Sequence, residues 1–88
     1  MKAREGFILR NLVGNCLLMP KGEKIKSYDS VVLMNELSAF VWEKMQNPVT
    51  QSDLLEAILN EYDVDEKTAR EDLNGLLAKL KEAGVIDD

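Results

Sequence analysis

Residues 31–45, VVLMNELSAFVWEKM, constrain the fold more tightly than any other stretch of the chain. Val31, Val32, Leu33 and Met34 are four apolar residues in a row, too few for a helix and β-branched at the front, so they read as a strand. The spacing then changes. Leu37, Val41 and Met45 recur every four residues, with Phe40 beside them and Trp42 on the flank, which is the apolar stripe of a helix facing a core. Asn35 stands between the two patterns as a helix N-cap, with Glu36 near the positive end of the helix dipole. A strand therefore runs into a helix through one residue. The segments before it have β character and those after it are helical.

Gly6 to Pro20 reads as a β-hairpin: FILRNLV and CLLM flank Gly14-Asn15, a pair that tolerates positive φ. With the turn there, Val13 pairs with Cys16, Leu12 with Leu17 and Asn11 with Leu18. Neither strand alternates cleanly, so the core face of the ribbon is not legible. Pro20 ends the second strand, Lys21-Gly22 turns the chain, and the polar residues 23–30 form a loop before the strand at 31–34.

Asn47-Pro48 ends the first helix, expected over 36–46. Thr50-Gln51-Ser52-Asp53 is a capping box opening a second over 51–62, whose apolar face is Leu54, Leu55, Ile58, Leu59 and Tyr62. Asp65 caps a third helix over 66–83, with Ala69, Leu73, Leu76, Leu77 and Leu80 as its stripe and Gly84 as its stop; Val85-Ile86 folds back. Gly75 falls in mid-helix, at roughly 1 kcal/mol relative to alanine, and close packing against a neighbour is the expected reason. The fold class is α+β: a three-stranded antiparallel sheet followed by three helices, winged-helix-like, in one domain.

Eighty-eight residues bury roughly 60–65% of the surface of the unfolded chain, enough for a single modest core. The chain is 45% apolar and 31% charged, an ordinary globular balance. No apolar run is long enough for a membrane span and no signal-peptide core follows Met1, so a cytoplasmic location and no membrane partner are expected. The chain has no histidine, and its one cysteine, Cys16, lies in an apolar run and reads as a small core residue. No metal or cofactor is expected. A net charge of −5 disfavours nucleic acid, whose affinity for proteins comes largely from neutralised phosphates.

An apolar strand at 31–34 is covered on both sides by the chain itself, with the third helix the natural cover, or it keeps an edge for a partner. The second arrangement suits an extended peptide that adds a strand, and a homodimer through the same edge is a further arrangement. At this point the residues resemble a known family. The apolar hairpin, LMPKG, VVLMNELSAFVWEKM, the capping box with Tyr62-Asp63-Val64 and Asp72, and Gly84-Val85-Ile86 follow the order and spacing of the PqqD family, named for coenzyme pyrroloquinoline quinone synthesis protein D. The likeness runs from about Gly6 to Ile86. Where that family usually has Leu-Asn at the strand–helix junction, this chain has Met34-Asn35. Its 22–30 link is also longer than in the founding members, which points to another peptide-modification pathway.

The resemblance implies a non-catalytic adaptor that binds the leader of a precursor peptide and presents it to a modifying enzyme, typically a radical S-adenosylmethionine protein. In that family the peptide lies between the third strand and the third helix. Carried over by position, one wall is Val31, Val32, Leu33 and Met34, and the other is Arg70, Asn74, Leu77, Ala78 and Lys81.

Two rivals stand beside it. Asp29-Ser30-Val31 resembles the phosphopantetheine site of an acyl carrier protein, with Ser30 modified, although such proteins are all-helical. A winged-helix DNA binder would use Lys67, Arg70, Lys79 and Lys81, but Glu66, Glu71, Asp72 and Glu82 lie among them. No nucleophile–base pair, glycine-rich phosphate loop or carboxylate in an apolar stretch suggests an enzyme.

Overall fold

The computed structural model of the chain describes residues 1–12, 15–22 and 32–87. In chain order these form β1 (Lys2–Ala3), β2 (Phe7–Leu12), β3 (Asn15–Pro20), β4 (Val32–Met34), α1 (Glu36–Lys44), α2 (Gln51–Glu61), α3 (Glu66–Ala83) and β5 (Ile86–Asp87). The main sheet has the order β2-β3-β4, antiparallel throughout, and precedes the helices as expected. Val31, Ser30 and the loop expected over 23–30 lie outside the described residues, as do Val13 and Gly14.

The hairpin is registered differently from the expectation. Leu12 pairs with Asn15, Asn11 with Cys16 and Leu9 with Leu18, so the connection is residues 13–14 and not Gly14-Asn15. The slip is by two residues, which keeps every side chain on its own side of the ribbon. Its gain is a continuous apolar row: Leu9, Leu18 and Val32 stand opposite one another across the three strands. In the expected register Asn11 would have faced Leu18 on the core side. It faces Cys16 instead, whose thiol donates to the Asn11 Oδ1 at 2.9 Å; Cys16 is half-buried and packs on the core.

The core face of the sheet is thereby settled. Leu18 and Met34 are fully buried, with Phe7, Leu9, Cys16 and Val32 packed around them. The helices complete the core with Val41, Trp42 and Met45 from α1, Leu54 and Ile58 from α2, and Ala69, Leu73, Leu76, Leu77 and Leu80 from α3. Phe40 and Leu37 are partly buried, and the Phe40 ring meets Tyr62 edge-on with centroids 5.4 Å apart.

All three N-caps act where the sequence puts them. The Asn35 side chain accepts from the Ser38 amide at 2.8 Å. Thr50 and Asp53 exchange bonds as a capping box, and Asp65 accepts from the Thr68 amide at 3.0 Å. Gly84 closes α3 in the left-handed region, φ 75°, and its amide donates to the Leu80 and Lys81 carbonyls. The helices end one or two residues earlier than expected at Lys44 and Glu61.

One element escaped the sequence. β1 pairs with β5 (Ala3 with Ile86), and the Ala3 and Arg4 amides donate to the carbonyls of Met45 and Val85 at 2.8 and 2.9 Å. Arg4 also forms a 2.7 Å ion pair with Asp87 at the surface. Val85 and Ile86 are buried beneath this clasp.

Gly84→Ala forces a Cβ into the left-handed region and lowers unfolding free energy by about 1–2 kcal/mol, measured by urea denaturation. The Asp65 carboxyl is held below its ordinary value by hydrogen bonds from the Thr68 side chain and amide. Because the folded value is depressed, this cap stabilises the fold above the ordinary carboxylate range and is lost as pH falls through the folded value. Asp65→Asn accordingly flattens the acid limb of the stability–pH profile, read by thermal unfolding from neutral pH down to about pH 3.

Candidate functional site

Among the described residues β4 is an edge strand, and its hydrogen-bonding parity follows from a bond at the far end of its neighbour. The Lys21 amide donates to the Gly6 carbonyl at 2.8 Å, in line with the β2–β3 register. Odd-numbered residues at this end of β3 therefore address β2, and the even ones, Leu18 and Cys16, address β4 at Val32 and Met34. Leu33 is left with its N–H and C=O directed away from the sheet. Among the described residues of β4 it alone presents the free edge. Its side chain alternates to the opposite face from Met34 and is 56% exposed, whereas Met34 is 0% exposed.

α3 runs alongside this edge. The Lys79 ammonium donates to the Leu33 carbonyl at 2.8 Å, so the helix reaches the outward backbone through one long side chain. Between the β4–α1 junction and α3 lies a groove of about 270 Å³ lined by Asn35, Leu37, Ser38, Asp72, Gly75, Leu76 and Lys79. The α3 residues fall at i, i+3, i+4 and i+7, one face of the helix. Leu37 and Leu76 make an apolar floor, and Asp72 and Lys79 put opposite charges on the rim.

A larger cavity of about 580 Å³ lies between α2 and α3, lined by Gln51, Ser52, Leu55, Glu56, Leu59, Asn60, Glu66, Arg70 and Leu73. It borders only helices, whose backbone groups are already paired internally. The smaller groove is linked through Lys79 to the outward backbone of β4 and is the better-equipped recognition site.

The residues expected to form the site are dispersed. Val32, Leu33 and Met34 form β4, but only Leu33 is exposed; Val32 is half-buried and Met34 belongs to the core. On α3, Leu77 is buried in the core stripe. Arg70 lines the α2–α3 cavity and pairs with Glu66, and Asn74 accepts a hydrogen bond from Gln51 of α2. Ala78 and Lys81 are exposed and do not line the groove. The α3 residues that line the groove are instead Asp72, Gly75, Leu76 and Lys79, of which Lys79 bonds to β4. Helical spacing shows which residues share a face; which face turns toward β4 depends on how the core stripe seats the helix.

The expected reason for Gly75 also fails. Among the described residues a Cβ at Gly75 meets no atom within 4 Å, so none of them packs against it.

Among the described residues no three of His, Cys, Asp and Glu gather as metal ligands. No helix among the described residues is long and apolar enough to cross a membrane. The β2-β3-β4 sheet is incompatible with an all-helical carrier protein.

Comparison with known proteins gives one family and one fold. The family model "Coenzyme PQQ synthesis protein D (PqqD)" matches residues 16–86. Two solved structures are similar along almost their whole length. TbiB1 in complex with the TbiA(beta) leader peptide is 18% identical, covers 100% of both chains and superposes with a TM-score of 0.75. Lasso peptide synthetase B1 complexed with the leader peptide is 19% identical over 96% of this chain and 93% of that one, with a TM-score of 0.70. At these identities the likeness establishes the fold. No curated protein matches the sequence significantly.

The two faces of β4 predict opposite responses to substitution. Met34→Ala removes about 2–5 kcal/mol of stability by emptying a fully buried site. Leu33→Ser stays within about 0.5 kcal/mol of the parent protein. Chemical denaturation of both variants checks the assignment.

Proposed function

This chain belongs to the PqqD family, and on that footing we propose that it binds the leader of a precursor peptide at the β4 edge and presents it to a modifying enzyme. The observation that carries the reading is the outward N–H and C=O of Leu33, placed beside the α3 groove. Water or a flexible lysine satisfies such groups in the free protein. An extended guest satisfies both at once and adds a fourth strand to β2-β3-β4.

The surroundings support this assignment. A strand on the β4 edge alternates its side chains, so residues on one side of the guest point toward α3 and enter the groove. Main-chain pairing supplies affinity independent of guest sequence, and the groove supplies selectivity. The leader peptides present in both solved relatives of this fold favour the same class of guest. The chain itself makes and breaks no bonds. Its effect is to hold the reactive part of the precursor near an enzyme at an effective concentration on the order of millimolar. A radical S-adenosylmethionine enzyme is the partner type that the family resemblance favours, in a peptide-modification pathway other than quinone synthesis. The acidic balance of the chain suits a peptide guest better than a nucleic acid.

The test uses synthetic peptides tiling short open reading frames encoded beside this gene, with amide hydrogen exchange as readout. A binding peptide slows exchange of the Leu33 amide, which has no partner in the sheet. Exchange at Val32 and Met34, already paired with β3, changes far less. Binding that leaves the Leu33 amide as fast as before removes strand addition at β4 from consideration.

A further inference from the structure

Gly75 has no structural reason to be glycine. It stands in the interior of α3, where glycine is the least favourable residue after proline. Its φ is not among the positive values that require glycine, which occur at Gly6, Gly22 and Gly84. Among the described residues a Cβ at this position meets nothing within 4 Å, so no described helix or strand needs the close approach. What the position does face is the groove beside the free edge of β4.

Resting on the peptide-binding reading above, we propose that Gly75 is the specificity-determining position of this groove, leaving room for a large apolar side chain of the guest. A guest residue opposite Leu33 points its side chain to the outer face of the sheet, as Leu33 does. The guest residues on either side of it point the other way, toward α3. There Leu37 and Leu76 offer an apolar floor, and the missing side chain of Gly75 leaves the wall recessed between Asp72 and Lys79. Leucine or an aromatic residue fits this description; a charged residue would lose its hydration against Leu37 and Leu76. The recess exists at the expense of helix stability, since alanine here would strengthen α3 without a clash.

The proposal separates stability from recognition, and the test reads both. A display library of random linear peptides is selected in parallel on the wild-type chain, Gly75→Ala and Gly75→Leu. Gly75→Ala raises the melting temperature by about 4–8 °C, which shows that the variant is folded and that glycine was not needed for packing. Peptides selected on the wild type carry a large apolar residue at one fixed position, and they bind Gly75→Leu at least about tenfold more weakly. Trimming that guest residue to alanine removes most of the difference between the two proteins, and selection on Gly75→Leu yields small residues at that position. Wild-type peptides that bind Gly75→Ala and Gly75→Leu as well as the parent overturn the role of Gly75 and leave peptide binding standing. A wild-type chain that enriches no peptide overturns peptide binding itself, and the role of Gly75 with it.

Discussion

The burial of Met34 is the contact on which the site depends. Its side chain is fully enclosed, its backbone pairs with Cys16, and the next residue caps α1. Three constraints within two residues leave β4 no freedom to rotate or slip. A strand held this firmly on one side must turn the alternate residue out, and Leu33 is that residue. Fixing one core methionine thus defines the direction of an outward-facing peptide group on the surface.

Edge strands of this kind invite unwanted association, and proteins usually blunt them with charge, a bulge or a covering element. This chain sets Lys79 against the Leu33 carbonyl. An exposed lysine bond is weak enough to be exchanged for a better partner. The arrangement discourages casual pairing while leaving the edge accessible, and this separates an adaptor from an aggregation hazard.

Much of the fold was legible because it is written in local chemistry. The caps at Asn35, Thr50 and Asp65, the stop at Gly84 and the full core stripe of α3 each depend on residues within a turn or two of one another. The hairpin was legible as a hairpin, yet its register was not. Gly14-Asn15 is a good turn pair, but the alignment of Leu9, Leu18 and Val32 outweighs it, and that alignment involves a third strand. The site was half legible for the same reason. The strand was correctly located, whereas the wall of α3 depends on the rotation of a helix seated by Leu73, Leu76 and Leu80 on other elements. Arg70 and Asn74 share a face, and that face turns to α2. Gly75 carried a signal that was noticed and misassigned: glycine in a helix can mark a close neighbour or an empty space, and only coordinates distinguish them.

The clasp of β1 on β5 has a bearing on how the molecule assembles. Arg4 and Asp87 are 83 residues apart in sequence, so their meeting closes a loop that spans the sheet and all three helices. Loops of that size form late and raise the average sequence distance between touching residues, which slows folding. During synthesis the pairing of β1 with β5 must wait until residues 86–87 clear the ribosome, while the bond from the Ala3 amide to the Met45 carbonyl is available earlier.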